Sequence, residues 1–383
     1  MNTLTNILPK ILARGLLAFH EQVTMARVVN RDYGAEAKKK GSTIDIPISV
    51  AQAVTDVTPA PTKPAFVDTA PGLVQITLAN WRQTAFNLKD DEMVQIDKSK
   101  HFMPLQTHEA IRSLAGDVND KIHAEYKGVY NHVGVAATTP FASTAVELVS
   151  ARKKLNQTLT PRPSRRFVMD YDAEANALLL ATFADKEKTG ESAVKIEGEL
   201  GRKYGFDNFT DDSVVTHSKG VATGTPLTNG APAIGAVSIA TDGWTNDTTD
   251  ILLKGDLITF AGDSQQYVVT ADTDSGATTG PATVLIQPPL KVAVGDGAAI
   301  TVVASHVVNL AFHREAFAFA NRPLLENTQA MALGSQIVSA TDPETGISLR
   351  LEVSRAHKAI VWEFDILYGV GLPRPNAATR VLG

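Results

Sequence analysis

Four stretches carry residue types that do chemistry in other proteins, and each lacks a member that its chemistry requires. His108-Glu109-Ala110-Ile111-Arg112 begins as a zinc-protease helix does, with a metal ligand beside a general base, yet position 112 is Arg where the second histidine belongs. A solvated or intersubunit helix face is the remaining reading. Asp272-Thr273-Asp274-Ser275-Gly276 repeats the first half of a calcium loop, but position 283, where the bidentate carboxylate closes the cage, is Thr. It reads as a polar β-turn. Gly295-Asp296-Gly297 is followed neither by a third glycine nor by a helix-forming stretch, so it is no dinucleotide fingerprint. The fourth stretch, Arg162, Arg165 and Arg166 beside Pro161 and Pro163, sets guanidinium groups on a loop where they suit phosphate or a neighbour's carboxylates.

No P-loop and no GxSxG elbow occurs. The nine histidines are scattered, and the sequence does not say whether any meets a serine and a carboxylate in space. With no cysteine in the chain, disulfides, thiolate zinc sites, iron–sulfur clusters and cysteine nucleophiles are excluded. The expectation is a non-enzymatic protein with no catalytic residue, cofactor or metal.

The elements that would position any site come next. The 383 residues are 44% apolar and 20% charged, enough for two or three domains with real cores. No run approaches the ~18 to 20 apolar residues of a membrane span. The apolar stretch at 11–19 is broken by Arg14 and leads into His20-Glu21-Gln22, so no export signal and a cytoplasmic product are expected. Charge is unevenly spread. Residues 221–303 hold eight aspartates against two lysines, a net of −6, while the remainder, 34 basic against 33 acidic residues, is +1. A near-neutral body argues against a dedicated nucleic-acid binder.

Ile7, Leu8, Ile11, Leu12, Leu16, Phe19 and Val23 recur at helical spacing and form one apolar stripe within 7–30. From Thr43 the period becomes two: Ile44, Ile46, Ile48 and Val50 answer Val74, Ile76 and Leu78 as a hairpin. Its long tip, 51–71, holds Pro59, Pro61, Pro64 and Pro71, which remove ladder donors and favour extended chain. A tip of that length fits an arm lying on a neighbouring subunit.

Pro104 opens the strongest helix, 104–127, with Ile111, Leu114, Ala115, Val118 and Ile122 on one face and a length of about 36 Å. Residues 143–218 read as a mixed α/β module. In it Thr144 and Glu147 form a capping box for 145–157, 167–169 is a buried strand, and Asp172 caps a helix running through Phe183. Residues 221–303 change to short strands at 257–260, 267–270, 283–286 and 300–303 between Gly, Thr and Asp turns, a pattern expected of a small separate β-barrel or sandwich. The turn at 342–346 leads into paired strands over 347–353 and 360–368, and the tail from Leu372 reads as a surface strand or arm.

This order resembles the Hong Kong 97-type fold of tailed-bacteriophage major capsid proteins, here an α+β subunit with an inserted small β-barrel. The 41–47 segment Gly-Ser-Thr-Ile-Asp-Ile-Pro is similar to the start of that family's extended loop, and 78–86, Leu-Ala-Asn-Trp-Arg-Gln-Thr-Ala-Phe, to its exit. Residues 104–127 look like its spine helix. Asn309-Leu310-Ala311-Phe312-His313-Arg314-Glu315-Ala316-Phe317 and the 362–369 stretch resemble late segments of coat proteins from short-tailed Salmonella-type phages, in which an extra β-barrel interrupts the subunit. The resemblance covers 1–219 and 304–383.

The resemblance implies an N-terminal helical arm over 1–42, an extended-loop hairpin over 43–90 and a spine helix with peripheral domain over 91–142. An axial α/β domain follows over 143–220, an inserted β-barrel over 221–303, and a return to both domains with a C-terminal arm over 304–383. It also implies hexamers and pentamers that close an icosahedral shell, assembled in the host cytoplasm. The implied partners are a scaffolding protein, a portal protein, packaged double-stranded DNA held non-specifically, and room for a decoration protein, with no membrane. The expected intersubunit contacts are Pro59, Pro61, Lys63, Pro64 and Phe66 at the tip, Glu109 and Arg112 on the spine helix, Arg162, Arg165 and Arg166, and Asp242, Asp247 and Asp250 on the insert. Some members crosslink the loop through lysine and asparagine. Lys63 is the only tip lysine, and nothing local supports that reaction.

Two rivals compete. An encapsulin-like nanocompartment shell shares the fold and encloses enzymes instead of a genome. An adhesin would use the 221–303 domain to bind polysaccharide, with Trp244 and Tyr267 stacking on sugar. A hydrolase built on one histidine is a distant third.

Overall fold

The computed structural model describes residues 4–32, 39–48, 54, 56, 59, 72–89, 105–185, 198–324, 334–342 and 346–383. Helices are α1 Leu4–Gln22, α2 Met25–Val28, α3 Leu105–His123, α4 Val146–Gln157, α5 Tyr171–Leu179 and α6 Ala181–Ala184. The first eight strands are β1 Thr43–Ile48, β2 Gly72–Thr77, β3 Asn80–Lys89, β4 His132–Val133, β5 Arg165–Met169, β6 Arg202–Lys203, β7 Phe206–Thr210 and β8 Thr216–His217. Six more follow: β9 Gly224–Thr228, β10 Ser238–Trp244, β11 Leu257–Phe260, β12 Tyr267–Val269, β13 Ala282–Gln287 and β14 Ile300–Val302. The last six are β15 His306–His313, β16 Ala318–Asn321, β17 Gln336–Thr341, β18 Ser348–Ala356, β19 Ala359–Gly371 and β20 Ala378–Leu382.

The chain divides into two compact units. The first takes Met1–His20, Arg31–Leu114 and Ala318–Pro373. In α1, the stripe residues Leu8, Ile11, Leu12, Leu16 and Phe19 are buried as their spacing requires, and Arg14 is exposed. Gly15 faces Ile111, whose Cδ1 would lie 2.5 Å from any added Cβ, so a glycine lets α1 approach α3 closely. Strands β1 and β2 form an antiparallel hairpin from Thr43 opposite Thr77 to Ile48 opposite Gly72. Strand β3 does not simply lead out of that hairpin. It pairs along ten positions with β19, from Asn80 opposite Tyr368 to Lys89 opposite Ala359.

The thirteen-residue β19 is the axis of this unit's larger sheet, with β3 as one partner and β18 and β16 as others, and β17 lies beyond β18. Phe86 stacks on Trp362 at 6.3 Å across the β3–β19 pair. The Arg350 Nε donates to Asp365 Oδ1 at 2.9 Å, and the Trp81 Nε1 donates to Asp365 Oδ2 at 3.0 Å, which ties three strands together at one carboxylate.

The second unit takes Glu21–Asn30, Ala115–Phe317 and Arg374–Gly383. Its body is a sheet ordered β4-β20-β15-β5-β7-β6, with β8 also on β15; β5–β7 and β20–β4 run parallel. Helices α4 and α5 bury Leu148, Ala151, Leu155, Ala173 and Ala177 in the same core as Phe141, Phe167, Phe183 and Phe206. Phe141 meets Phe167 and Phe183 edge-on at 5.8 and 5.7 Å, the geometry that aromatic quadrupoles favour.

Between β8 and β15 stands an all-antiparallel sheet ordered β14-β11-β12-β13-β10-β9, in which Leu227 of the edge strand β9 bridges to Ala299, just ahead of the other edge strand β14. Alternation sets its inner face: Ala282, Val284 and Ile286 of β13 are buried, while Thr283 and Leu285 point out. Trp244 and Tyr267 lie in this core at 3% and 0% exposure, so neither presents a stacking face for sugar. The register slips between Asp242 and Trp244, and Gly243 at the slip has φ +74° with the Thr225 carbonyl oxygen 2.3 Å from any added Cβ. Gly243→Ala is expected to destabilise the protein by about 1–3 kcal/mol, read as a lower urea midpoint at unchanged slope.

Several local expectations are corrected. The tail is no surface arm: all five residues of β20 are buried between β15 and β4, because Ala378, Val381 and Leu382 are apolar and both backbone edges are paired. The capping box at Thr144 and Glu147 does not form, since the N-cap falls one residue later on Ala145, which has no side-chain acceptor. Asp172 is not a cap either. It lies in the first turn of α5 after the N-cap Asp170, and the helix stops where Leu180 turns extended at ψ 124° before α6 restarts. The long helix is α-helical to His123 and continues as a 3-10 turn, Ala124–Gly128.

Candidate functional site

The histidine, aspartate and arginine chemistry that was scattered along the sequence converges at one buried place in the second unit. Strands β8 and β15 bring His217 opposite His306. The turn before β11 contributes Gly255 and Asp256, the 3-10 turn contributes Tyr126, the end of α3 contributes His123, and β20 contributes Arg380. Apart from Gly255, each of these residues is at most 4% exposed.

The bonding runs in one direction. The Tyr126 hydroxyl lies 3.0 Å from His217 Nδ1, and His217 Nε2 lies 2.9 Å from Asp256 Oδ1. A carboxylate only accepts, so Nε2 carries the proton and, in the neutral ring, Nδ1 accepts from the tyrosine. Asp256 Oδ2 accepts the backbone N–H of Gly220 at 3.1 Å and of Leu253 at 2.8 Å. The Arg380 guanidinium stacks 5.0 Å from the Tyr126 ring centroid and donates Nη1 to the Gly255 carbonyl at 2.8 Å. Its Nε and Nη2 have no protein acceptor.

Burial dominates the electrostatics. It lowers His123 and His306 to about 4, with Arg380 adding repulsion in both cases, so both rings are neutral at pH 7. The same desolvation pulls Arg380 down to about 9, still charged at neutral pH, and raises the Tyr126 hydroxyl. Tyr126–His217–Asp256 has the relay order of a base oriented by a carboxylate. All of its members are buried, however, and the group at its head is a phenol. Its chemistry is cohesion: Asp256 and Gly255 of the 221–303 segment are fastened to Tyr126, His217 and Arg380 of the body.

The expected contact residues are dispersed. Pro61, Lys63, Pro64 and Phe66 lie outside the described residues, and Pro59 is exposed. Glu109 and Arg112 are exposed on α3, as is Arg162 on its loop. Arg165 is turned inward at 2% exposure, where its Nε and Nη2 donate to the carbonyls of Pro161 and Thr160 at 2.9 and 2.6 Å, so it is spent on its own loop and not offered at the surface. Arg166 Nη1 donates to the Arg27 carbonyl at 2.9 Å. Asp247 and Asp250 are exposed at φ +48° and +54°, and Asp242 is half-buried beside the register slip. In the would-be calcium loop, Asp272 and Asp274 accept the backbone N–H groups of Lys254 and Asp250, the ordinary use of aspartate in a turn.

Sequence reasoning passed over Tyr126, His217, Asp256 and Arg380. Their only local signal is Arg380 itself, a cation inside the apolar run that ends the chain. Among the described residues, no group of three or more His, Cys, Asp or Glu is placed to hold a metal ion, and no helix is long and apolar enough to cross a membrane.

No family model matches the chain. No curated protein matches it either. Solved structures do. A structure from Mycobacterium phage Che8 is 12% identical at a TM-score of 0.49, covering 94% of this chain and 91% of its own. The capsid of cyanophage P-SCSP1u is 11% identical at 0.49, covering 91% and 86%. A virus-like particle from Pyrococcus furiosus is 7% identical at 0.43, covering 97% and 98%. Phage capsid structures thus stand among the solved structures to which this chain is similar.

Proposed function

We propose that this chain is the major capsid protein of a tailed bacteriophage, a non-enzymatic shell subunit of the Hong Kong 97 type carrying an inserted small β-barrel over 221–303. Copies assemble as hexamers and pentamers into an icosahedral shell that encloses double-stranded DNA, with scaffolding and portal proteins as partners. The observation that carries the reading is the way the 221–303 segment interrupts its host. His217 and His306 are cross-strand partners, so the chain leaves the body sheet and rejoins it at one point. The elements on either side keep the order that the sequence resemblance leads one to expect: helical arm, hairpin, long helix, mixed sheet, then late strands. The hairpin β1–β2 supports the shell role. Its inner face is covered within the subunit, where Ile44, Ile46 and Ile76 pack with Ala318, Ala320 and Leu367, while Asp45, Leu73 and Gln75 stay exposed and available to a neighbouring copy.

Electron microscopy of the purified chain, with and without a scaffold partner, tests the reading. Closed particles are expected, and small monomers under every assembly condition would count decisively against it. DNA inside particles recovered from infected cells separates a phage shell from an enzyme-filled nanocompartment. Deleting 52–70 is expected to leave a folded subunit, by circular dichroism, that forms no stable shells; normal particles from the deletion would remove the arm from the assembly mechanism.

A further inference from the structure

A second polar feature of this unit has no part in the buried junction. A hollow of about 440 Å³ opens between α4, β4 and the loop ahead of β12. Ser150, Lys153, Lys154 and Gln157 line one wall. They fall at i, i+3, i+4 and i+7, a single stripe along α4. Val133, Gly134 and Ser264 line the other. Every polar side chain in this lining can donate a hydrogen bond, two of them carry positive charge, and no carboxylate is among them. Asp263, next to Ser264, has both oxygens engaged, one by the Tyr267 hydroxyl and one by the Gln265 amide.

The charge here is uncompensated. Among the described residues neither lysine has an ion-pair partner. Burial, then the neighbouring Lys153, lowers the Lys154 ammonium, which is the direction expected where a counter-charge is wanting. The walls are also fixed in advance, because the Gln266 side chain accepts the His132 N–H at 2.9 Å and donates to the His132 carbonyl at 3.1 Å, clamping the loop to β4. Basic residues in a last helical turn are favoured by the helix dipole alone. That preference does not explain why a hydroxyl and an amide of α4 and a hydroxyl of the loop ahead of β12 line the same space.

We propose that this hollow is an oxyanion site that takes a phosphate group, held by the Lys153 and Lys154 ammonium groups with Ser150, Ser264 and Gln157 donating to its remaining oxygens. The space exceeds what a bare ion fills, so a phosphodiester of a nucleic-acid backbone enters as readily as free phosphate. Calorimetric titration of the full chain with inorganic phosphate, at constant ionic strength in chloride, is the test. Saturable binding is expected, weakened by more than about tenfold in the Lys153→Met/Lys154→Met double variant, since each charge-assisted contact is worth that much. Lys153→Arg, which keeps the charge, is expected to retain binding and guards against a folding artefact. A short DNA duplex that competes with phosphate identifies the backbone as the occupant; a duplex that does not leaves the free ion as the occupant, and both outcomes support the site. No saturable heat with the wild-type chain, or equal affinity in the double methionine variant, overturns it.

Discussion

Between pH 7 and pH 4 the folded protein is expected to lose about 3 kcal/mol of stability for each of His123 and His306, at about 1.4 kcal/mol for each pH unit between the folded and unfolded values. Both rings are held at about 4 in the fold, against 6.5 when free. The unfolded chain therefore takes up protons first as the pH falls. Stability is complete above about 6.5, declines through the interval, and is fully lost from these groups below about 4. His132, also lowered to about 4 by burial, acts in the same direction. Urea denaturation at several pH values measures the slope. His306→Gln is expected to flatten it by about 1.4 kcal/mol per pH unit within this window, and an unchanged slope would show that the buried ring does not titrate as the fold requires.

The second large effect concerns two aspartates of the same acidic segment. Asp256→Ala is expected to cost about 3–5 kcal/mol, because it strips the acceptor from His217 Nε2 and from the Gly220 and Leu253 amides while leaving the first two buried and the third half-buried. Asp247→Ala, exposed on its turn, is expected to change stability by no more than about 0.5 kcal/mol beyond its backbone preference. Urea midpoints compare the two, and amide exchange locates the damage. Strands β11 and β12 should lose protection first in the Asp256 variant.

These two residues also mark where the sequence stops being informative. Periodicity identified α1, α3 and the β1–β2 hairpin, because in each the burial of one face is written as a repeat of 3.6 or 2, and β-rich runs between turns identified β11, β12, β13 and β14 but neither β9 nor β10. Leu8, Ile111, Ile76 and Val284 are buried as that pattern demands. The junction follows no such rule. Tyr126, His217, Asp256, His306 and Arg380 lie tens of residues apart, and only the pairing of β8 with β15 and of β15 with β20 assembles them. From composition, Asp256 is one of eight aspartates in a turn-rich stretch, seven of which suit turns equally well. The tail was misread for a related reason: proline and arginine near a terminus look solvated, whereas Arg380 is stacked on a tyrosine and bonded to a carbonyl inside a sheet. Helix caps failed at the scale of one residue, where Ala145 displaced Thr144.

Because His217 and His306 face one another across an antiparallel pair, the points where the chain leaves the body sheet ahead of 221–303 and rejoins it afterwards are about 5 Å apart. A graft made there would need no linker, and any foreign domain whose termini lie that close could ride in the subunit in place of 221–303. It would also inherit an obligation. Arg380 stays behind in the body with its charge, and the guest must present a carbonyl where Gly255 stood and a carboxylate where Asp256 stood, or the carrier will carry an unanswered cation at its centre.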